Sequence, residues 1–318
     1  MVLDEIISVL KNAENIVILP HIDADGDAIG SSLALALSLK ATGKKVKVLM
    51  EEDVPVVYGF LPGLELTEVY TVDYTVYDAV VALDTGDIGR MGYRKEVFEK
   101  GAETVNIDHH STNSEFADYN FVQTSSSAVG EIIYQLLKQM KLELTKETAT
   151  CLYTAITTDT GGFRYSNTTP LTHQIAADLI IHGAVVADIS QKVFDTVSYG
   201  KVKLMGLAAS TLELLENGKV SAIYITPGMM KEAGAREEDC DGIVNLGRSI
   251  RGVQVALMLR QWEGNEVKVN FRSNGSFDVA SLASMYGGGG HKKAAGCIVR
   301  GSLDEVKKKL MADIRDKL

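Results

Sequence analysis

The sequence has few cysteines, no long hydrophobic run and no excess of basic residues. Its three cysteines, Cys151, Cys240 and Cys297, are scattered and form no CxxC pair, which excludes a disulfide framework and a cysteine zinc site and favours the reducing cytoplasm. No apolar stretch approaches the ~18 residues of a membrane span. The first residues, MVLDEIISVLKNAEN, predict an amphipathic helix and not a signal peptide. We therefore expect a cytoplasmic protein without a membrane partner.

The charge balance restricts the partners of the chain. Its 318 residues carry a formal net charge of −10. Proteins that bind long nucleic acids usually present a basic face to the phosphates. The sequence therefore argues against long duplex nucleic acid as a partner, while short phosphate substrates held through metal ions remain compatible with it.

The first half of the chain alternates short β-branched runs with helical patterns. Predicted strands cover 15–20, 45–50, 78–84 and 103–108, and a predicted helix covers 28–42. This alternation predicts an α/β fold with a doubly wound, mainly parallel sheet, which binds ligands at the carboxyl ends of its strands. Three more helices are predicted at 125–140, 145–157 and 169–183, the first capped by its serines and the second by Thr145.

The second half predicts a smaller α+β domain. It contains a predicted strand at 220–226, a helix at 239–250 and a hairpin that turns near Gly264 and Asn265, followed by a glycine run and a final amphipathic helix. We place the first domain at 1–190, a linker at 191–203 and the second domain at 204–318. The active-site cleft is expected between the two domains.

The segment HIDADGD, residues 21–27, places three aspartates and a histidine between a predicted strand and a predicted helix. Asp27 is suited to cap that helix, which would stabilise it by ~1 kcal/mol. A calcium loop does not fit, because the turn glycine and the closing acid would fall on Ala28 and Ala34. Alone, the segment leaves a structural turn and a metal site equally open.

Acidic residues and histidines also end three other predicted elements. Asp84 follows a strand in DTGD, the triplet Asp108, His109 and His110 follows the next, and Asp159 ends a helix. An aspartate is unfavourable at the negative end of a helix dipole, which favours a ligand role for Asp159. Carboxylates that converge in this way must be neutralised. We predict two divalent ions, with Mn²⁺ favoured by the carboxylate and imidazole ligands and Mg²⁺, Co²⁺ or Fe²⁺ as alternatives, in an arrangement suited to phosphoryl transfer.

Six sequence motifs resemble those of one protein family. HIDADGDAIGS, DTGD, NIDHH and TDTGGF are similar, in this order, to the four motifs of the DHH phosphoesterases. FRSNG and SLASMYGGGGHKKAAGC are similar to the DHH-associated substrate-binding domain. The resemblance covers essentially the whole chain.

The resemblance implies roles for residues of the first four motifs, whereas Asp23 lies outside the ligand pattern of the family and is expected to be structural. The implied metal ligands are His21 and Asp25 for one ion, Asp27, His109 and Asp159 for the other, and Asp84 for both. His110 would contact the scissile phosphate or assist proton transfer. Asp108 would orient the histidines, as metal-bound imidazoles usually require.

Substrate binding is expected mainly from the second domain. The glycines at 287–290 allow backbone amides to approach an anion, although the GxxxxGK[ST] spacing of a Walker loop is absent. Arg272 offers a planar fork for phosphate. The predicted substrate-binding residues are Arg272, Ser273, Gly289, Gly290 and His291, with Arg164 of the first domain as a further phosphate contact.

The resemblance to the compact two-domain members of the family implies the function. These enzymes hydrolyse short oligoribonucleotides to mononucleotides and remove the 3′-phosphate of 3′-phosphoadenosine 5′-phosphate (pAp) to give AMP. A linear or cyclic diadenylate phosphodiesterase is the alternative. The GGGGH segment argues against an inorganic pyrophosphatase of the family, and the lack of an OB-fold argues against a single-strand DNA exonuclease. A catalytically inactive nucleotide-binding regulator is disfavoured because all six ligand positions are intact. The resemblance also suggests a homodimer.

Overall fold

The computed structural model describes residues 2–72, 75–262, 264–315 and 317–318. The chain divides into two compact units, one up to Thr196 and one from Val197 onward. This division falls within the segment 191–203, which contains a short π-helical turn, Gln191–Asp195, and the start of a helix at Tyr199. The proposed domain bounds themselves stay a prediction.

The first unit is built on a six-stranded sheet in which every neighbouring pair is parallel. Its strands are β1 Asn15–Pro20, β2 Lys45–Met50, β3 Thr67–Val69, β4 Ala79–Leu83, β5 Glu103–Asp108 and β6 Tyr119–Val122, in the order β3-β2-β1-β4-β5-β6. The central strands are buried on both faces, which explains their nearly continuous apolar sequences. The predicted α/β fold with a parallel sheet is confirmed.

Helices cover the two faces of this sheet. They are α1 Val2–Asn12, α2 Gly26–Lys40, α3 Lys95–Phe98, α4 Val129–Met140, α5 Lys146–Asp159, α6 Pro170–Ile181 and α7 Val186–Ser190. Alternate residues of β1 face opposite sides, as the period of a strand requires. Ile16 and Ile18 join the larger core that includes α2, α4 and α5, and Val17 and Leu19 join the smaller core that includes α3.

Helices α2 and α5 pack closely because glycine and alanine meet between them. A Cβ atom added to Gly30 would lie 2.5 Å from the carbonyl oxygen of Cys151 and 3.1 Å from the Cβ of Ala155. The side chain of any other residue would force the helices apart. This contact holds the start of α2, with Asp27, at a fixed distance from the end of α5, with Asp159.

Two of the predicted helix caps are wrong. Thr145 caps α5 as predicted, but the N-cap of α4 is Ala128, which has no side-chain acceptor. The first amides of α4 instead donate to the carboxylate of Asp27, more than a hundred residues earlier in the chain. Asp25, and not Asp27, accepts the first amides of α2. The local pattern failed here because Asp27 caps a distant helix.

The second unit contains a second, mixed sheet and a further set of helices. Its strands are β7 Glu213–Leu215, β8 Val220–Ile225, β9 Val255–Gln261, β10 Glu266–Ser273, β11 Gly289–His291 and β12 Ala294–Arg300, in the order β11-β12-β10-β9-β8-β7. Its helices are α8 Tyr199–Ser210, α9 Pro227–Ala233, α10 Val244–Arg248, α11 Val279–Ser284 and α12 Leu303–Arg315. Among the described strand pairs of this second sheet, only β8 and β9 run parallel. The predicted smaller α+β domain is confirmed.

One helix of the second unit is shorter than predicted. The segment 239–250 contains the end of a 3₁₀ turn, Glu237–Cys240, and then the short α10. Asp241 has an extended backbone and Gly242 has a φ of 81°. These two residues interrupt the predicted helix between the 3₁₀ turn and α10. Among the described helices, none is both long and apolar enough to cross a lipid bilayer.

Candidate metal centre

The candidate metal centre lies where central strands of the first sheet end. The chain leaves β1 toward β2 on one side, whereas β4 is followed by β5 on the other side. Such a reversal of strand order opens a crevice at the carboxyl ends of the strands, where parallel sheets bind ligands. His21 directly follows β1, Asp84 directly follows β4, and Asp108 ends β5. The sheet therefore brings these three residues to one edge.

The first group of possible ligands consists of His21, Asp25 and Asp84. The Nε2 atom of His21 lies 3.8 Å from Oδ1 of Asp25 and 3.6 Å from Oδ2 of Asp84. One ligand atom from each residue lies within 4.8 Å of the others. These are the residues that the resemblance assigns to one ion.

The second group consists of Asp27, His109 and Asp159, whose ligand atoms also lie within 4.8 Å of one another. The Nε2 atom of His109 lies 3.8 Å from Oδ2 of Asp159 and 3.6 Å from Oδ1 of Asp84. Asp84 thus presents one carboxylate oxygen to each group. A third grouping joins Asp84 with His109 and His110.

Asp84 combines burial with an unusual backbone. Its side chain is 3% exposed, and its φ of 55° lies in the left-handed region that non-glycine residues rarely adopt. Its buried Oδ1 atom accepts no hydrogen bond from the described residues. A buried carboxylate oxygen without a donor is costly unless a cation neutralises it. Strained backbone and an unmatched acceptor together indicate a functional site.

Hydrogen bonds at Nδ1 set the tautomers of His21 and His109. The Nδ1 atom of His21 lies 2.6 Å from the carbonyl oxygen of Ile22, and that of His109 lies 3.2 Å from the carbonyl oxygen of Ser126. A carbonyl oxygen only accepts, so each Nδ1 carries the hydrogen. In the neutral ring Nε2 then offers its lone pair toward the carboxylates, as a metal ligand must.

His110 has a different partner. Its Nδ1 atom lies 2.7 Å from Oδ1 of Asp108. Asp108 was predicted to orient the histidines in general, but its hydrogen bond goes to His110, and the Ser126 carbonyl orients His109. The hydrogen bond to Asp108 raises the pKa of His110, because the carboxylate stabilises the protonated ring.

Three asparagines near the site were missed by sequence reasoning. The Nδ2 atom of Asn113 donates to Oδ2 of Asp108 at 2.6 Å and lies 2.8 Å from Oδ1 of Asn106. Asn167 donates to the backbone carbonyl oxygen of Asp159 at 3.2 Å. Asn113 follows the DHH triplet closely, so an amide in NIDHHSTN was the available signal. These amides fix the orientation of the acidic side chains.

Asp27 is held by the start of α4. Its Oδ2 accepts from the amide of Val129 at 2.6 Å, and its Oδ1 accepts from the amide of Gly130 and the hydroxyl of Ser31, both at 2.9 Å. The positive end of the α4 dipole therefore lies at this carboxylate. The contact fixes Asp27 beside His109 and Asp159.

The carboxylates raise the pKa values of the histidines. Burial lowers the pKa of His21, but the hydrogen bonds and charges of Asp25 and Asp84 outweigh burial and raise it to about 10. Burial likewise lowers the pKa of His109, but the neighbouring carboxylates, Asp27 first among them, raise it to about 9. Without metal, both rings therefore hold a second proton at neutral pH.

Crowding raises the pKa of two carboxyl groups. Burial raises the pKa of Asp27 well above its usual range, and the charges of Asp84 and Asp159 raise it further. Burial raises the pKa of Asp159 to about 7, although the charge of His109 opposes the shift. Both raised pKa values reflect the cost of gathering negative charge in a buried site without metal.

These residues fit divalent cations. The unmatched oxygen of Asp84, the Nε2 atoms turned toward carboxylates and the mixed oxygen and nitrogen donors are the features of a site for Mn²⁺ or a similar ion. That each of these residues is a metal ligand stays a prediction.

The predicted phosphate-binding arginines lie in separate units. Arg164 is exposed in the turn after α5, and its Nε atom donates to the carbonyl oxygen of Gly161 at 2.5 Å. Arg272 is half-buried on β10. Ser273 is buried, and its hydroxyl donates to the carbonyl oxygen of Phe277 at 2.7 Å, so only its lone pairs remain for a ligand. Their roles in substrate binding stay predictions.

The glycine run ends in the edge strand β11, which pairs with β12. Gly290 has a φ of 140°, and a Cβ atom there would lie 2.5 Å from the carbonyl oxygen of Ala294. Gly289 has no left-handed φ, and a Cβ atom there would meet no described atom within 4 Å. Local structure therefore explains the glycine at 290 and not the one at 289. The backbone of His291 belongs to β11, but its side chain lies outside the described part of the chain.

Two family models match the chain. The model of the DHH family, N-terminal domain, matches residues 15–156, and that of the DHHA1 domain matches residues 217–318. The first match contains the residues of both candidate ligand groups except Asp159, and the second contains the glycine run. The resemblance seen in the sequence motifs is confirmed.

Curated relatives and a solved structure are similar over nearly the full length. A protein of Thermus thermophilus named bifunctional oligoribonuclease and PAP phosphatase NrnA is 37% identical, with 98% of this chain and 92% of the relative covered. A Bacillus subtilis protein of the same name is 28% identical, with 98% and 96% covered. The crystal structure of an exopolyphosphatase-related protein from Bacteroides fragilis has a TM-score of 0.92 at 28% identity, covering 99% of this chain and 96% of that one.

Replacing Asp84 by asparagine is expected to weaken metal binding strongly without unfolding the protein. The substitution removes a charge that faces both ligand groups, whereas asparagine tolerates the left-handed backbone at 84. Loss of residues that merely support ligands costs about 10–100-fold in metal affinity, so we expect at least about 100-fold here. Calorimetric titration with Mn²⁺ measures the affinity, and circular dichroism reports on the fold.

Asp23→Asn is the matched control for this substitution. Asp23 lies in the same loop as the ligands, is exposed and has a similar left-handed φ of 53°, but it belongs to neither ligand group. Its replacement should leave the Mn²⁺ affinity unchanged. Equal losses in the two variants, or none in Asp84→Asn, would contradict the central position of Asp84.

The metal-free protein is expected to lose stability as the pH rises from about 6.5 to about 10. The folded-state pKa values of His21 and His109, about 10 and about 9, exceed the ordinary 6.5, so their stabilisation is complete below 6.5 and is lost as the pH rises through the raised values. Asp159, with its pKa raised to about 7 from 3.8, acts in the same sense below pH 7. Calorimetric melting in a chelator measures this trend.

Saturating Mn²⁺ should remove most of this pH dependence. Metal binding displaces the protons from its ligands, so the affinity for the metal rises with pH and offsets the loss. His109→Asn should show a flatter profile in the chelator, whereas replacement of the remote His182 should not change it. A melting temperature of the metal-free protein that rises over this pH range would contradict the electrostatic account of the site.

Proposed function

Because the chain belongs to the DHH family of phosphoesterases, we propose that it hydrolyses short oligoribonucleotides to mononucleotides and removes the 3′-phosphate of pAp to give AMP. The family is metal-dependent, and this chain contains acidic and histidine groups that can hold metal. The observation that carries the proposal is the 37% identity, over nearly the full length, to a relative named for these two activities. The chain is accordingly proposed to be a hydrolase that acts on phosphate esters.

The proposal includes two divalent ions, with Mn²⁺ preferred and Mg²⁺ or Co²⁺ as substitutes. His21 and Asp25 would hold one ion, Asp27, His109 and Asp159 the other, and Asp84 both. The grouping of their ligand atoms within 4.8 Å supports this assignment. When bound, such ions make water a stronger nucleophile at neutral pH and stabilise the negative charge that develops on the phosphoryl oxygens.

His110 is proposed to act in proton transfer during the reaction. Its ring is paired with a carboxylate at 2.7 Å, whereas those of His21 and His109 are paired with neutral carbonyl oxygens. The hydrogen bond to Asp108 raises the pKa of His110, and the proposal assigns no ion to this ring, so metal binding would not displace its proton. His110 therefore suits donation of a proton to the leaving oxygen, with Asp108 orienting the ring.

The second unit is proposed to bind the rest of the substrate. The backbone amide of Gly289 would approach a phosphate oxygen, Gly290 would allow the strand to form beside β12, and Arg272 would pair with phosphate. Ser273 and His291, and Arg164 of the first unit, complete the proposed contacts. Neither backbone conformation nor packing requires glycine at position 289. This supports the proposed role, since a residue without a side chain permits close approach of an anion to its amide.

The proposed partners are short RNA and pAp, in the cytoplasm. The net charge of −10 supports the exclusion of long duplex nucleic acid. A homodimer remains part of the proposal through the family resemblance.

A substrate panel tests the proposed function. Purified protein with Mn²⁺ would receive pAp, a linear diadenylate, a five-nucleotide RNA, a long RNA and inorganic pyrophosphate in parallel, with chromatographic analysis of the products. We expect AMP from pAp and mononucleotides from the short RNA, with Asp84→Asn as the inactive control. Turnover of the diadenylate alone would indicate the dinucleotide phosphodiesterase instead. Hydrolysis of pyrophosphate or long RNA alone would overturn the proposed substrate class.

Gly289→Ala is expected to raise KM for pAp by roughly 10-fold while the melting temperature stays unchanged. A methyl group at 289 meets no described atom but would hold a phosphate oxygen away from the backbone amide. Gly290→Ala is the contrasting variant, because its Cβ would clash with the carbonyl oxygen of Ala294 and lower the melting temperature. An unchanged KM in Gly289→Ala would remove Gly289 from the substrate site.

A further inference from the structure

Arg90 lies beside the candidate metal centre and has no role in the site described so far. It belongs to the 3₁₀ segment Ile88–Arg94 that follows β4 and the DTGD motif. Its amide donates to the carbonyl oxygen of Asp87 at 3.0 Å, and its own carbonyl oxygen accepts from the amide of Ile22 at 2.8 Å. A backbone hydrogen bond therefore joins Arg90 to the loop that contains His21.

The guanidinium group of Arg90 lies against a ring nitrogen of His21 that cannot accept a hydrogen bond from it. Its Nη2 atom lies 3.0 Å from Nδ1 of His21. That Nδ1 lies closer, at 2.6 Å, to the carbonyl oxygen of Ile22 and must donate its hydrogen there. A guanidinium group has only donors, so no lone pair remains on Nδ1 to receive it. The contact places two donors together and cannot anchor the side chain.

Among the described residues, Arg90 has no carboxylate partner in an ion pair. Arg94, which belongs to the same 3₁₀ segment, is by contrast paired with Glu51. Arg90 is instead exposed. The guanidinium group of Arg90 is positively charged, and several of its N–H groups have no acceptor in the described part of the chain. It lies at the Nδ1 side of the His21 ring, and the Nε2 atom lies on the other side of the same ring.

We propose that Arg90 is an additional substrate contact that binds the phosphoryl group under attack. The inference rests on the proposed function, because it assumes that the phosphate reaches the ions at His21, Asp25 and Asp84. A phosphate there would lie near a guanidinium group that forms no ion pair among the described residues. Arginine binds two phosphate oxygens through its planar fork, which suits a group that must be held while its charge increases. The water on the exposed guanidinium is replaced by the substrate.

Contact with the attacked phosphate makes a specific kinetic prediction. This phosphoryl group is common to pAp and to short RNA, so Arg90→Met should lower kcat/KM for both substrates, by about 10- to 100-fold for a charged hydrogen bond. Methionine keeps the apolar stem of the side chain and removes the charge. Arg90→Lys should give an intermediate loss, because it restores the charge without the fork.

Two measurements separate this contact from a structural role. Mn²⁺ affinity, measured by calorimetry, should match that of the wild type in Arg90→Met, whereas inorganic phosphate should bind the Mn²⁺-loaded variant at least about 10-fold more weakly. Lys100→Met is the control, since Lys100 is an exposed cation of the same unit outside the site, and it should change neither quantity.

Each other outcome would overturn a distinct claim. Reduced Mn²⁺ affinity in Arg90→Met would mean that Arg90 positions His21 and does not bind substrate. A loss confined to one substrate would move the contact away from the attacked phosphate, and no loss in either would remove Arg90 from the site. If the wild type hydrolyses neither substrate, the proposed function fails, and phosphate binding alone then decides for or against the Arg90 contact.

Discussion

Repulsion between buried carboxylates is the constraint on which the first unit depends. Asp27 and Asp84 are 1% and 3% exposed, and Asp25 and Asp159 lie close to them. Carboxylates at such distances cannot all remain ionised without positive charge nearby. In the metal-free protein, the pKa values of His21, His109, Asp27 and Asp159 are all raised, so proton binding is favoured at each of these groups. The fold thus maintains an excess of negative charge at these carboxylates, which divalent cations are suited to neutralise.

Asp27 links this charge balance to the packing of the helices. A carboxylate has about four lone-pair positions, and three hydrogen bonds from α4 and Ser31 occupy three of them. One position remains, which is what a single metal contact needs. The same side chain therefore replaces the missing cap of α4, receives the positive end of that helix and faces His109. A substitution at Asp27 would disturb helix packing together with metal binding, which makes Asp84 the cleaner position for testing the metal centre.

Local sequence patterns predicted several strands and indicated the candidate ligand residues, but not the groups that support these residues. The bounds of the strands at 15–20, 45–50 and 103–108 agree with the prediction, because a buried run with turns at both ends specifies a strand locally. His21 and His109 directly follow two of these strands, and Asp84 directly follows β4. The cap of α4 by Asp27 and the contact between Arg90 and His21 join residues 102 and 69 positions apart. Only the folded sheet brings such pairs together, so no local pattern encodes them.

The surface charge gives a physical reason for the proposed preference for short substrates. The chain has 42 acidic and 32 basic residues, while the proposed phosphate contacts use cations at the metal centre and a few arginines. A short oligonucleotide can place most of its phosphates near these groups. A long polymer must extend beyond them along a protein whose net charge has its own sign, so an excess of negative charge opposes the binding of further phosphates within about one Debye length. Discrimination by length therefore needs no steric barrier, and it should weaken as salt screens the repulsion.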